Sequence, residues 1–283
     1  MDDFVMHQTA FLPSLLCNLH CKLCASAVPY YAGLKPMPLA RFQEMIKRYF
    51  RIVTHVDKLS ISGGEPLLYP HLAEALWFFQ DYMSQIGSLE IITNGTIVPE
   101  VKVLLAAKEL GEKFVFMVDD YGANISTRIA EIEDALMCSG IRYTIRNYTA
   151  EDPHCGGWVD FGDLTERKHH TQESMEALYA KCAYPSKIRF CFNTVDGVMY
   201  PCSAVRRCKE LGIVDDENEY VDLFDDHLSV QEQRMKIQAI YTGRSLNACA
   251  YCNGLCEDSP RFLPAEQLTV EELAKVKKIA FHT

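Results

Sequence analysis

Twelve cysteines in a chain of 283 residues are the feature that most restricts how this protein can fold. Three of them lie close together in a C-x3-C-x2-C pattern, at Cys17, Cys21 and Cys24. Two more, Cys138 and Cys155, stand alone, and the other seven fall in the last part of the chain, at Cys182, Cys191, Cys202, Cys208, Cys249, Cys252 and Cys256. The chain opens on Met1-Asp2-Asp3 without a basic stretch, so we expect a cytoplasmic protein without a secretory signal. Such a cysteine content then indicates metal ligation, and its two clusters predict two metal centres.

The charge balance and hydropathy restrict the possible partners. Lys and Arg number 28 against 38 Asp and Glu, a net charge of −10, which argues against binding nucleic acid through its phosphates. The longest stretch without Asp, Glu, Lys or Arg, residues 4–21, contains too many polar side chains to span a membrane. With 48% hydrophobic residues the chain is typical of globular proteins. We therefore expect neither a nucleic acid nor a membrane as partner.

Between the cysteine clusters, short apolar runs alternate with helical patterns. Strands are predicted over 5–12, 58–62, 88–93, 113–119 and 142–147, and helices over 38–52, 71–85, 99–109 and 125–139. This alternation is typical of βαβ units around a parallel sheet. Five or six units by residue 195 predict an α/β fold, an open partial (β/α)6 barrel of the TIM type.

The rest of the chain predicts a smaller second unit. Residues 152–167 are rich in Gly and Asp and predict a linker or active-site loop. A helix is predicted over 173–181, strands over 187–194 and 198–200 around an Asp-Gly hairpin turn, and a closing helix over 271–279. The acidic run 215–219 is interpreted as a solvated loop. We place the domain boundary after residue 181, with the last barrel strand at about 187–195 and the second domain over 182–283.

The first cysteine motif and a glycine motif together indicate the chemistry. Three thiolates can hold one corner of a [4Fe–4S] cluster and leave one iron without a protein ligand, and the alternative is zinc with His20 or a distant residue as the fourth ligand. The next predicted strand ends in Gly63-Gly64-Glu65-Pro66. Glycines at the carboxyl end of a parallel strand allow a ligand to approach the backbone closely.

With both motifs in this order, the chain resembles the radical S-adenosylmethionine (radical SAM) superfamily over roughly residues 5–195, and zinc is disfavoured. The resemblance implies that Cys17, Cys21 and Cys24 hold a [4Fe–4S] cluster whose open iron binds S-adenosylmethionine. It also implies that the Gly63–Pro66 motif receives the methionyl amino group, with Glu65 as an acceptor. One-electron reduction would then produce a 5′-deoxyadenosyl radical that abstracts a substrate hydrogen.

The match to this superfamily departs from the usual pattern at two positions. Leu23 replaces an aromatic residue, and Met117 replaces a serine that contacts the ribose, a role that Asp119 or Asp120 would take. Four other residues match places where the family contacts S-adenosylmethionine, although strand-end turn chemistry explains each of them equally well: Thr93, Asn94, Arg146 and Asn147.

The second cysteine cluster has the pattern C-x14-G-x4-C across the predicted hairpin, followed by C-x2-C. This pattern resembles the auxiliary-cluster domain of radical SAM enzymes, in its short "twitch" form and not the longer SPASM form, which needs more cysteines. The resemblance implies an auxiliary [4Fe–4S] cluster held by Cys182, Cys202, Cys249 and Cys252, with Cys256 as a rival ligand. We interpret Cys191 as a buried small apolar residue, Cys208 as a surface residue and Cys155 as a candidate catalytic thiol.

An auxiliary cluster with four protein ligands fits an electron acceptor. The sequence therefore favours a two-electron oxidation of a small sugar- or aminocyclitol-like molecule, with an external reductant such as flavodoxin or ferredoxin. The alternative is crosslinking or epimerisation of a ribosomally made peptide. It is weaker because peptide-modifying members commonly have a leader-binding domain before the barrel, and here the first strand starts at about residue 5. A cluster-carrying scaffold without activity has no use for the open iron and the glycine motif.

Overall fold

The computed structural model describes residues 3–151 and 153–280, so Asp152, the first residue of the predicted linker, lies outside the described residues. Its strands are β1 (Val5–Leu12), β2 (Tyr31–Ala32), β3 (His55–Ile61), β4 (Ile86–Thr93), β5 (Phe114–Asp120), β6 (Tyr143–Asn147), β7 (Cys191–Val195), β8 (Val198–Tyr200), β9 (Val221–Asp222) and β10 (Ile279–Ala280). Eight of them form one sheet in the order β6-β5-β4-β3-β1-β7-β8-β9. The six strands from β6 to β7 run parallel, and β8 and β9 continue the sheet antiparallel. This open, mainly parallel sheet confirms the predicted fold class.

The helices are α1 (Leu39–Ile52), α2 (Leu72–Phe79), α3 (Val101–Glu109), α4 (Ile129–Ser139), α5 (Gln172–Lys181), α6 (Ala183–Ser186), α7 (Ser203–Glu210), α8 (Val230–Thr242) and α9 (Val270–Lys275). Helices α1 to α4 each connect two neighbouring parallel strands, as parallel pairing requires. In the described part of the chain, no helix is long and apolar enough to cross a membrane.

Helix α1 fixes the central strand β1, and with it the loop that carries the first cysteines. The helix starts after Pro38 and buries one face, which includes Phe42 and Tyr49. From β1, Phe11 packs edge-on against both rings, with centroid distances of 6.1 Å to Phe42 and 5.0 Å to Tyr49. Burying each aromatic side chain contributes roughly 1.5–3 kcal/mol. The end of β1 is therefore held rigidly where the cysteine loop begins.

One buried core extends across the predicted domain boundary. It includes barrel residues such as Val56 and Phe116 together with Val205 and Ile237 from the last third of the chain. The hairpin of β7 and β8 also belongs to the barrel sheet. The second unit thus packs directly on the barrel, and the division after residue 181 stays a prediction.

Several predicted elements differ from those observed, and the helix predicted over 125–139 starts only at Ile129. The helix over 71–85 is α2 followed by a 3-10 segment, Gln80–Gln85. The strand predicted over 187–194 starts only at Cys191, because Arg189 and Phe190 have φ values of 53° and 55° that break an extended run. The closing helix over 271–279 ends at Lys275, since Ile279 instead pairs with Tyr31 in a two-stranded sheet.

Several parts of the last third were not anticipated, including helix α7. Helix α8 has no counterpart in the sequence-based prediction, although Ser229 and Glu232 form a capping box at its start. The acidic run 215–219 is not entirely solvated as predicted: Glu219 is buried and accepts a hydrogen bond from the backbone N–H of Asn247. Its burial raises the pKa of Glu219 to about 7.

Candidate functional site

The first three cysteines lie in the loop that follows β1, at the carboxyl end of the parallel sheet. The Leu19 N–H donates to Cys17 Sγ over 3.4 Å. Desolvation raises the pKa of Cys17 to about 11 and that of Cys21 to about 12; Glu65 and Cys24 raise the first further, and Cys24 and Cys17 raise the second. Burial likewise raises the pKa of Cys24. The three thiols therefore share one loop, and burial favours their neutral form.

The glycine motif lies directly against the cysteine loop. The Gly64 N–H donates to the Ser14 carbonyl over 3.1 Å, and the Glu65 N–H donates to the Leu16 carbonyl over 2.8 Å. A Cβ atom on Gly63 would lie 2.1 Å from the Ser14 oxygen, and one on Gly64 would lie 2.2 Å from the Leu16 oxygen. Only glycine permits this approach of two backbones. The two motifs that carry the resemblance therefore form one hydrogen-bonded unit.

The carboxylate of Glu65 ties this unit to the next strand end. It is fully buried and accepts hydrogen bonds from the Thr93 hydroxyl over 2.9 Å and the Asn94 N–H over 2.8 Å. The Asn94 amide in turn contacts Asn18 Oδ1 over 3.1 Å and Cys17 Sγ over 3.9 Å. Burial raises the pKa of Glu65 to about 7 despite these donors. Pro66 opens the short 3-10 segment after Glu65.

The next two strand ends form a separate polar group. The Arg146 guanidinium donates to Asp119 Oδ1 over 2.5 Å, and the Tyr121 hydroxyl donates to Oδ2 over 3.0 Å. Burial nonetheless leaves the pKa of Asp119 raised. Tyr121 also packs on Tyr148 at 4.9 Å and on Trp158 at 5.6 Å between centroids. Asp119 and Arg146, both named from the sequence, therefore lie at the carboxyl end of the sheet and are paired with each other.

The other strand-end candidates serve turns. The side chain of Asn147 is exposed and accepts from the N–H groups of Thr149 and Ala150. Asp120 accepts from the Gly122 N–H over 2.8 Å. These contacts are those of Asx turns, which is the alternative that the sequence left open for Asn147. Neither side chain is brought to the cysteine loop by a hydrogen bond that the structure records.

A segment near the end of the chain, which the sequence did not point to, covers the cysteine loop. Cys21 and Gln267 form an antiparallel bridge, and the Gln267 amide donates to Cys21 Sγ over 3.2 Å. The Lys22 ammonium contacts the carboxylates of Glu266 at 2.8 Å and Glu272 at 3.1 Å. A contact between residues this far apart in sequence leaves no local pattern by which it could be predicted.

The four cysteines expected to hold an auxiliary cluster line one small cavity. The wall contains Cys182, Cys202, Cys249 and Cys252 among almost wholly apolar neighbours, including Phe161, Tyr179, Tyr184, Phe190 and Leu246. Burial raises the pKa of Cys249 to about 12 and of Cys252 to about 11, and raises that of Cys202 well above its usual value. Backbone N–H groups of Gly254 and Leu255 point to Cys252 Sγ and Cys182 Sγ over 3.2 and 3.5 Å.

The remaining cysteines lie outside this cavity wall. Cys256 is buried beside it and lines a neighbouring open cleft with Asp160 and His169. Cys191 starts β7 and is half-buried. The prediction for Cys208 was wrong: it is fully buried, because helix α7 turns it towards the core and leaves Lys209 on the outer side. Cys155 is exposed, and its own φ is 58°. It lies close to Tyr148, and the neighbouring His154 ring packs on Tyr148.

The donor sets fit iron–sulfur clusters. Among the described residues, no three Cys, His, Asp or Glu side chains form a compact group around a single metal position. What the structure offers instead is thiol-only sets, each with N–H groups directed at sulfur, which is the ligand chemistry of [4Fe–4S] clusters. The first set has three thiols in a polar loop, and the second has four thiols around an apolar cavity. We therefore treat Cys17, Cys21 and Cys24, and separately the four cavity cysteines, as candidate cluster ligands.

Comparison with known proteins gives a clear result for the fold. The structure of BtrN in complex with AdoMet and 2-DOIA superposes with a TM-score of 0.58 and 16% identity, over 94% of this chain and 100% of that one. The structure of anSMEcpe with bound AdoMet superposes with a TM-score of 0.51 and 15% identity, over 93% of both chains. The chain has the fold of radical SAM enzymes. This finding confirms the partial-barrel architecture that the strand pattern predicted and that the resemblance implied.

Sequence comparison reaches less of the chain. Two curated relatives, both named UPF0026 protein and from two strains of Helicobacter pylori, are 32% identical over 104 residues. The match spans 33% of this chain and 31% of each relative, so it covers about a third of their length. No family model matches the sequence.

Proposed function

We propose that this protein is a radical SAM enzyme with one S-adenosylmethionine-binding [4Fe–4S] cluster and one auxiliary [4Fe–4S] cluster. The observation that carries the proposal is the hydrogen-bonded unit of the cysteine loop and the Gly63–Glu65 loop at the carboxyl ends of β1 and β3. Sites of barrel enzymes lie at that end of the sheet. The likeness in fold to proteins with bound AdoMet supports the same reading.

In this proposal Cys17, Cys21 and Cys24 hold the first cluster, and Cys182, Cys202, Cys249 and Cys252 hold the auxiliary one. When bound, the clusters and S-adenosylmethionine would supply reductive formation of a 5′-deoxyadenosyl radical, and the auxiliary cluster would accept the substrate's remaining electron. The chain's own contribution is positioning. Glu65 and Asn94 hold two loops against each other, and the apolar cavity walls exclude water.

The substrate that we favour is a small sugar- or aminocyclitol-like molecule that loses two electrons. The highest TM-score among the reported likenesses belongs to BtrN, whose complex contains AdoMet and the small molecule 2-DOIA, and that likeness covers that whole chain. As part of the same proposal, the electron that starts turnover comes from an external flavodoxin or ferredoxin in the cytoplasm.

Anaerobic reconstitution tests the enzyme class without knowledge of the substrate. Protein with two [4Fe–4S] clusters should hold about eight Fe and eight sulfide and, with dithionite and S-adenosylmethionine, should release methionine and 5′-deoxyadenosine. Tightly bound zinc in place of iron, or no cleavage of S-adenosylmethionine by iron-loaded protein, would refute the proposal.

Product mass tests the reaction type. An oxidation should consume one S-adenosylmethionine for each product molecule and give a product two hydrogens lighter than the substrate. With a deuterated substrate, the label should appear in the methyl group of 5′-deoxyadenosine. Panels of aminocyclitols, sugars and nucleosides should be compared with short peptides encoded beside the gene. Turnover of a peptide and of no small molecule would overturn the substrate class while leaving the enzyme class intact.

A further inference from the structure

The segment from Ala265 to Leu268 forms a short strap across the first cysteine loop. The Lys22 N–H donates to the Glu266 carbonyl, and the Leu268 N–H donates to the His20 carbonyl, each over 2.8 Å. These two backbone hydrogen bonds lie on either side of the bridge between Cys21 and Gln267. The strap therefore holds the Gln267 side chain at a fixed place beside the middle cysteine of the motif.

The orientation of the Gln267 amide follows from its partners. Its Oε1 accepts from the His20 backbone N–H over 2.7 Å, and a backbone N–H can only donate, so the oxygen must lie on that side. The Nε2 group then faces Cys21 Sγ at 3.2 Å and the Ala265 carbonyl at 2.6 Å. Both amide hydrogens and the oxygen are used. The amide cannot rotate without losing three contacts.

The Gln267 amide approaches its sulfur more closely than either donor recorded at Cys17. The contacts to Cys17 Sγ are longer, at 3.4 Å from the Leu19 N–H and 3.9 Å from the Asn94 amide. Hydrogen bonds to cluster sulfurs help to set reduction potentials, because a donor stabilises the extra negative charge of the reduced state. A donor removed from Cys21 should therefore make the cluster harder to reduce.

We propose that Gln267 is a positioning residue that raises the reduction potential of the first cluster through its hydrogen bond to Cys21. The inference rests on the proposed function, since it needs a cluster at Cys17, Cys21 and Cys24. It assigns the end of the chain a part in electron uptake by the first cluster. An apolar side chain at this position would cover the loop but would lose the contacts with the His20 N–H and with Cys21 Sγ.

Two variants separate the donor from the strap. Gln267→Met removes both donor and acceptor at similar length. Gln267→Glu keeps an oxygen for the His20 N–H but replaces the donor by a negative charge. The matched control is Gln238→Met, at an exposed position of α8. Midpoint potentials are measured on anaerobically reconstituted protein by redox titration followed by electron paramagnetic resonance, with the auxiliary cluster as internal reference.

We expect Gln267→Met to lower the equilibrium constant for reduction of the first cluster about tenfold, which is about 59 mV for a one-electron couple. Gln267→Glu should lower it at least as much, while the control variant and the auxiliary cluster keep their potentials. An unchanged potential in Gln267→Met would mean that Gln267 only supports the strap, and the inference would be overturned, because the added charge in Gln267→Glu lowers the potential by itself.

Two other outcomes also decide the matter. If neither Gln267 variant assembles the first cluster while Gln238→Met does, the residue acts in assembly and the inference about potential is wrong. If the variant in which Cys17, Cys21 and Cys24 are replaced by Ala holds as much iron as wild-type protein, the proposed function itself fails. This result is distinct from an unchanged potential.

Discussion

The two cysteine sites are assembled in opposite ways. The first takes its three thiols from one short loop after β1, so that the end of a single strand positions all of them. The second takes Cys182 from the end of α5, Cys202 from the start of α7, and two more from the segment after α8. The ligands of the first site are thus local in sequence, whereas those of the second come together only when the last third of the chain has packed.

The surroundings of the two cysteine sites also differ. Polar groups meet the first loop, with amides of Asn94 and Gln267 directed at sulfur. Apolar and aromatic side chains enclose the second, among them Phe161 and Phe190. A polar surface suits a site that must admit a charged small molecule, and an apolar enclosure suits one that exchanges only electrons. Within the proposed function, this difference favours substrate chemistry at the first site and electron storage at the second.

Removing cysteines from each site in turn should give the largest effect. Replacing Cys17, Cys21 and Cys24 together by Ala should halve the iron, from about eight to about four per protein, and abolish cleavage of S-adenosylmethionine. Cys202→Ala should also halve the iron but leave cleavage measurable, because its cavity lies apart from the first loop. Iron analysis and chromatography of 5′-deoxyadenosine measure both. Cleavage by the triple variant, or its loss in Cys202→Ala with the first cluster intact, would contradict the division of roles.

The same contrast explains what could be predicted from the sequence. The parallel strands, their helices and the first cysteine loop have local patterns, and the fold class they predict is confirmed. Helix α8 begins with a capping box, a local signal that the prediction missed. The burial of Cys208 and Glu219 and the strap at Gln267 depend instead on partners far away in the chain. No spacing rule reports such contacts. The four cavity cysteines are an intermediate case. The resemblance predicted which cysteines belong together, but only tertiary packing places them around one cavity.

A methyl group at Gly63 should be the next most damaging change. Gly63 has a φ of 137°, and a Cβ atom would lie 2.1 Å from the Ser14 carbonyl oxygen. Gly63→Ala should lower the free energy of unfolding by about 4 kcal/mol, from backbone strain of roughly 1–3 kcal/mol and a similar cost of displacing Ser14. Urea denaturation measures the loss. The matched control is Gly111→Ala, where φ is 69° and no atom lies within 4 Å, with an expected loss of about 1 kcal/mol. Equal losses would mean that the two loops do not constrain each other.

The pH dependence of stability should reveal the buried glutamate at each site. Burial raises the pKa of Glu65 from 4.5 to about 7. Between these values the unfolded chain loses its proton and the folded protein keeps it, so the stability that Glu65 contributes is complete below pH 4.5 and is lost as the pH rises through 7. At 1.36 kcal/mol per pKa unit, the loss is roughly 3 kcal/mol.

Glu65→Gln, which cannot ionise, should therefore gain stability relative to cluster-free wild-type protein as the pH rises from 5 to 8. Glu219→Gln at the second site should behave in the same way but less strongly, since its pKa is also raised to about 7 and its carboxylate is less completely buried. Urea denaturation at four pH values gives both curves. A pH-independent difference between Glu65→Gln and wild type would show that Glu65 is ionised in the folded protein throughout this range.

The smallest effect should come from the buried cysteine outside the cavity wall. Cys208 is fully buried in the core but does not line the cavity formed by Cys202 and its partners. Cys208→Ala removes one sulfur atom from a packed helix face, which should lower the free energy of unfolding by about 1 kcal/mol and leave the iron content unchanged.

Cys191→Ala, at the half-buried start of β7, should retain all the iron as well. Cys256→Ala completes the series, because the rival ligand lies beside the cavity and should also be dispensable for the cluster. Loss of half the iron in one of these three variants, while Cys182→Ala or Cys249→Ala retains it, would contradict this expectation. That result would show that the cysteine replaced in the first variant is a ligand of the second cluster, in place of the one that proved dispensable.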